Sequence, residues 1–286
     1  MSDPAVINYQ PLQAMQGAWL KGVRSAFRGW HLAVLVGLVI VCIVFVLLGS
    51  VSITFYLGIF YIFYLGTLVK QYKNDVWQAF AAANGWPVYS APDHQNMVPP
   101  SIQFGHSQSF SPVIEATLGD VACGLFTYQC MTGSGRYQQT HNFTVGVVAL
   151  PVAFPHLLLL SKKDSADVHR DMQSCENLQL EGDFSDYFKL QIEKGQEVDA
   201  LTIITPDVMQ SLVSYSQAED LEAFGNNLYF ISKNDKRDYQ DMQLLVRSVV
   251  ELSQQIIQNH ALATAPSSPP PAVTAPTTPA APAAIL

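Results

Sequence analysis

The sequence predicts an α+β chain: a two-helix transmembrane hairpin, then a mostly antiparallel sheet domain closed by a long C-terminal amphipathic helix. Three observations predict it. His31–Val69 is a run of 39 residues without Asp, Glu, Lys or Arg, whereas one bilayer-spanning helix needs only about 20 apolar residues. From Val113 to Leu160 the pattern becomes that of half-buried strands, and "ENLQLEG", "YFKLQIE" and "NLYFIS" read as further strands. Finally, Tyr239, Met242, Leu245, Val249, Leu252 and Ile256 recur every three or four residues, so one helical face must pack on something apolar.

Composition concentrates the signal. The 286 residues are 49% hydrophobic and only 13% charged, and the apolar excess sits in residues 31–69. Before it, residues 1–30 form a cytoplasmic N-terminal segment in which Leu12, Met15, Trp19, Val23, Phe27 and Trp30 fall at helical intervals among Lys21, Arg24 and Arg28. That pattern suits an interfacial helix lying on a membrane, or a basic flank that only sets orientation. A single helix of 39 residues would be roughly 58 Å long, about twice the hydrocarbon core. Two spans fit better: Leu32–Leu48 and Ile53–Val69 supply 17 residues each, with Gly49-Ser50-Val51-Ser52 as the turn. One span followed by a buried core helix is the alternative. Lys21, Arg24 and Arg28 on one flank and Lys70 and Lys73 on the other place both termini in the cytoplasm.

Residues 70–261 read as the cytoplasmic α+β domain. "KNDVWQAFAAANGW" predicts a short helix capped by Asp75 and ended by Gly85. A polar loop carrying His94 and His106 follows. In the β region Phe126, Tyr128 and Cys130 share one face and Phe143, Val145 and Val147 another, with Gly133-Ser134-Gly135-Arg136 as a hairpin turn. "HLLLLSKK" adds a buried strand. "ENLQLEG" and "YFKLQIE" pair around Gly182-Asp183, and Thr205-Pro206-Asp207 starts a helix with an N-cap, a proline at the first position and an acidic first turn. Residues 262–286 hold seven of the seventeen prolines and predict a disordered Pro/Ala-rich tail.

The search for chemistry finds no reactive constellation. Cys123, Cys130, His141 and His156 lie 7, 11 and 15 residues apart, without CxxC, HxxxH or HExxH spacing, so no metal site and no cofactor is expected. No Walker loop, dinucleotide fingerprint or GxSxG elbow is present. Asp120 with His141, or Asp167 with His169, offers an acid/base pair without a nucleophile beside it. The four cysteines have no framework spacing and read as reduced thiols. Asn142-Phe143-Thr144 is a glycosylation pattern that a cytoplasmic location makes irrelevant. From Asn74 onward there are 22 acidic and 10 basic side chains, a balance of −12, which disfavours nucleic acid as a partner.

"LQLEGDFSDYFKLQIEKGQEVDALTIITPDVMQSL" followed by "FGNNLYFIS" resembles a widespread bacterial domain-of-unknown-function family of membrane-hairpin-anchored cytoplasmic α+β proteins. Leu180-Glu181-Gly182, Phe184, Phe188, Ala200-Leu201 and Thr205-Pro206-Asp207-Val208-Met209 carry the likeness. The resemblance implies a multi-pass bacterial inner-membrane protein and brings no catalytic residues. The expected function is a non-enzymatic one: a protein-binding or scaffold module at the cytoplasmic face, with the lipid bilayer and a protein as partners. An enzyme, perhaps hydrolytic, built on His141 or His156 with neighbouring carboxylates is one alternative; a subunit of a membrane transport assembly is another.

Overall fold

The computed structural model describes residues 7–15, 20–21, 24, 30–47, 51–89, 97–118, 121–163, 175–180, 182–215, 219–233 and 239–264. Helix α1 (Trp30–Leu47) contacts helix α2 (Val51–Ala83). Gly49 and Ser50 of the expected turn, residues 16–19, 22–23 and 25–29 of the N-terminal segment and residues 265–286 of the tail lie outside the described residues, while Val51 and Ser52 begin α2 and residues 262–264 still belong to the C-terminal helix. Among the described residues no helix is long and apolar enough to cross a membrane; α1, with 18 residues, is about 27 Å long.

α2 corrects two sequence expectations. The second apolar segment and the helix expected to begin at Asp75 are one unbroken helix of 33 residues, and Asp75 sits inside it rather than capping it. Nothing between Val69 and Val76 breaks a helix: the side chains turn polar, but no Gly or Pro intervenes. The two halves meet different surroundings. Ile62 and Phe63 are 68% and 72% exposed, whereas Trp77 and Phe80 are fully buried. Trp77 Nε1 donates to the Pro112 carbonyl at 3.3 Å, and Phe80 meets Trp86 edge-on at 5.3 Å.

The start of the N-terminal segment packs on the domain. Gln10–Met15 form a 3-10 helix against α2, and Leu12 is fully buried in the domain core. Asn8 and Asn84 exchange hydrogen bonds, Asn8 N–H to Oδ1 at 2.7 Å and Nδ2 to the Asn8 carbonyl at 3.1 Å.

Among the described residues eight antiparallel strands form one sheet: β1 (Val88–Tyr89), β2 (His106–Phe110), β3 (Val113–Leu118), β4 (Val121–Thr132), β5 (Gln139–Ser161), β6 (Cys175–Leu178), β7 (Phe188–Glu193) and β8 (Glu219–Lys233). His106 therefore lies in a strand whose pairing is irregular, and His94 is outside the described residues. β5 is the spine. β8 runs along one side of it, while β4 and then β7 occupy the other. "NFTVGVVAL" and "HLLLLSKK", read as two strands, are this single strand, with Pro151 and Pro155 at an irregularity between them. Opposite it, Gly225 adopts φ +58°, a conformation glycine takes without the Cβ penalty.

The bend is sharp. Asp220 and Lys233 are 13 positions apart on β8, about 43 Å if extended, yet Lys233 Nζ lies 3.6 Å from Asp220 Oδ2. The sheet is thus curled, and its two faces enclose different cores. The outer one packs Leu125, Val148, Leu157, Leu159 and Phe230 beneath the helices. These are α3 (Phe184–Tyr187), α4 (Glu197–Ile203), α5 (Pro206–Tyr215) and α6 (Tyr239–Thr264), together with the end of α2. Met242, Leu245, Val249, Leu252 and Ile256 of α6 are buried as their spacing predicts; the side chain of Tyr239 is outside the described set. The inner face packs Phe126, Tyr128, Phe143, Val145, Tyr229 and Ile231 against Val98, Ile102 and Phe104 of the segment before β2.

Candidate functional site

The helix face that leaves the apolar half of α2 builds one side of a cleft. Gly66, Val69, Lys70, Lys73 and Asn74 recur at three- and four-residue steps and so share a face. Opposite stand Ser109, Phe110 and Ser111 at the end of β2, Thr127, Tyr128 and Gln129 of β4, and Asn142 of β5, enclosing 270 Å³. The floor is ordered. Ser109 Oγ donates to Gln129 Oε1 at 3.2 Å, and Gln129 Nε2 donates to Asn142 Oδ1 at 3.0 Å. Thr127 N–H donates to Ser111 Oγ at 2.8 Å. Burial, with the Cys130 thiol beside it, pushes the Tyr128 phenol above its ordinary value and keeps it neutral. Among the described residues Lys70 and Lys73 are the only formally charged ones in this lining, within a domain whose balance from Asn74 onward is −12.

A second polar constellation is closed. The Glu222 side chain is fully buried and accepts from His156 Nε2 at 2.8 Å, from Ser101 Oγ at 2.5 Å and from Ser101 N–H at 3.3 Å. The His156 ring also meets Phe224 edge-on at 4.9 Å. The hydrolase alternative named His156 but not Glu222, its carboxylate partner among the described residues. The geometry of the pair is that of a clamp: the Ser101 hydroxyl is directed at Glu222, not at His156, so the histidine does not activate it as a nucleophile. Two residues along, Asp220 Oδ1 accepts from Ser161 N–H at 2.6 Å beside Lys233.

The other residues singled out in sequence have local roles. His141 Nε2 is 2.8 Å from Thr132 Oγ1, and its ring meets Phe104 at 5.6 Å. His106 Nε2 donates to the Gly133 carbonyl at 2.8 Å, leaving Nδ1 to accept from Ser107 Oγ at 3.0 Å. Gly133 turns the β4–β5 hairpin at φ +73°, where a Cβ would strike the Tyr137 carbonyl. Cys130 faces His141 across β4 and β5, but among the described residues no three His, Cys, Asp or Glu converge to hold a metal ion. Burial pushes the Cys123 thiol up to about 12. Asp120, Asp167 and His169 lie outside the described residues.

Sequence reasoning missed the cleft. Lys70 and Lys73 read as an orienting collar and Asn142 as a sequon; the one available signal was the Gly66–Lys70–Lys73 spacing, which needs the position of β4 to acquire meaning.

No family model matches the chain, and no curated protein matches it. It is similar in structure to the mycobacterial trehalose monomycolate transport factor A, TtfA, with a TM-score of 0.45 and 12% identity, over 63% of this chain and 93% of that one. At that score the likeness is one of outline, and the role of TtfA does not transfer with it. The motif residues of the bacterial family resembled in sequence serve as packing here: Phe184 and Phe188 stack at 5.0 Å, and Ala200 and Val208 are fully buried. Thr205 Oγ1 accepts from Asn259 Nδ2 at 2.9 Å and so ties α5 to α6.

Proposed function

We propose that the chain is a multi-pass bacterial inner-membrane protein in which residues 31–69 insert as a helical hairpin and residues 70–261 form a non-catalytic binding domain at the cytoplasmic face. The continuity of α2 carries the reading. Tyr56, Phe60, Ile62 and Phe63 project from the same rigid rod whose far half is clamped by Trp77 and Phe80. Contiguous apolar surface of this kind is unfavourable in water by about 25 cal/mol per Å² and marks a membrane or partner surface. Val51–Val69 is about 28 Å long, close to α1 and to the roughly 30 Å hydrocarbon core.

Topology supports a hairpin over a single span. Leu12, which precedes α1, is packed in the domain that follows α2, so both ends of the hairpin belong to one side of a bilayer. The basic flanks make that side the cytoplasm. Of the two non-enzymatic roles, an accessory subunit of a membrane transport assembly suits the geometry better than a scaffold that docks protein alone, because the cleft opens where α2 leaves its apolar half. Expressed in bacterial cells, the full chain should remain with membranes through alkaline carbonate extraction, and protease added to spheroplasts should spare the residues beyond Lys73. Release into the supernatant, or digestion from outside, would contradict the proposal.

A further inference from the structure

The cleft has a composition that selects a ligand class. It is the meeting point of two lysines one helical turn apart, a neutral amide and hydroxyl floor, and the last apolar turn of α2 at Gly66 and Val69. Lysine ammonium groups recognise phosphate as point charges. Side-chain amides and hydroxyls such as Gln129, Asn142 and Ser109 supply the donors and acceptors that hydroxyl groups need. Among the described residues no carboxylate lines the cleft, although the domain is acidic.

We infer that this cleft holds the phosphate of an anionic lipid headgroup, with Lys70 and Lys73 on the phosphate and the Gln129–Asn142 pair on the adjoining glycerol or sugar hydroxyls. The inference rests on the membrane reading for the source of the phosphate, though not for its recognition. At 270 Å³ the cleft is near the lower end of the roughly 300–1,000 Å³ of small-molecule sites, room for a headgroup but not for a lipid. Gly66 and Val69 leave the apolar remainder beside α2.

The experiment measures amine acylation of individual lysines by mass spectrometry, with the full chain in vesicles of phosphatidylcholine alone or with one-fifth phosphatidylglycerol. Lys70 and Lys73 should be labelled at least about fivefold more slowly in the anionic vesicles, while Lys189 on β7 is unchanged. A diffuse basic collar would give the same protection, so the deciding variants are Asn142→Leu and Gln129→Leu, which alter no charge. Loss of protection in both supports the cleft; retention overturns it. In detergent, inorganic phosphate and glycerol phosphate are the probes. Protection by them in a chain that carbonate extracts from membranes would sink the membrane reading and identify a free phosphate ester as the source. Equal labelling in every arm overturns the inference itself.

Discussion

The Glu222 clamp and the Lys70 cleft are both polar, and they use polarity in opposite ways. In the clamp every group is turned inward. Ser101 and His156 satisfy one buried carboxylate, and the result joins the segment before β2 to β8 across 121 positions of sequence. In the cleft the amides satisfy one another in a row along the floor, across from Lys70 and Lys73 of α2. Buried, saturated polar groups specify a fold, whereas convergent groups beside an open volume can recognise a ligand. A histidine 2.8 Å from a glutamate is therefore the weaker functional signal of the two, despite its resemblance to an acid/base pair.

Stability separates the regions most strongly. Glu222→Ala removes the acceptor from three donors at once and should destabilise the domain by about 3 kcal/mol, a fall of roughly 6–12 °C in melting midpoint. Asn142→Leu should change it by less than about 1 kcal/mol, because Asn142 is exposed. Thermal melts of the two variants in detergent check this, and equal losses would erase the distinction.

Much of the fold was legible in the sequence because local pattern and local structure agreed. The α6 face, the β4–β5 hairpin and the α5 start needed only periodicity, a glycine turn and a Thr-Pro-Asp opening. What failed was the inference of boundaries from polarity. The change at Lys70 ended an apolar segment without ending a helix, and Pro151 and Pro155 bent a strand without ending it. Leu12, whose spacing suited an interfacial helix or an ordinary basic flank, is buried because the end of α2 offers it a docking face. The cleft and the clamp were illegible for a common reason: each joins residues through the curl of the sheet, which no local pattern records.

A smaller effect sharpens the account of the outer core, to which Cys123 belongs. The reactive species of a thiol is its thiolate. With Cys123 raised from 9.0 to about 12 by burial, its thiolate fraction at pH 8 falls roughly a thousandfold. Iodoacetamide at pH 8 should modify half-buried Cys175 and spare Cys123, as peptide mapping will show. The linked stability has a definite sign: it is complete below pH 9.0 and is lost as pH rises toward about 12, because the unfolded chain releases that proton first. Comparable alkylation of both thiols would mean that β4 is not packed as described.

The central claim is that one rigid helix places the cleft at the membrane surface. Nitroxide labels at positions 60, 63, 71 and 78 of α2, introduced singly on a cysteine-free background in phospholipid vesicles, test it through their collisions with oxygen and with a water-soluble nickel chelate. Oxygen should dominate at positions 60 and 63 and the chelate at 71 and 78, with the crossover within one turn of Lys70. Chelate access at 60 and 63 equal to that at 78 would contradict the account.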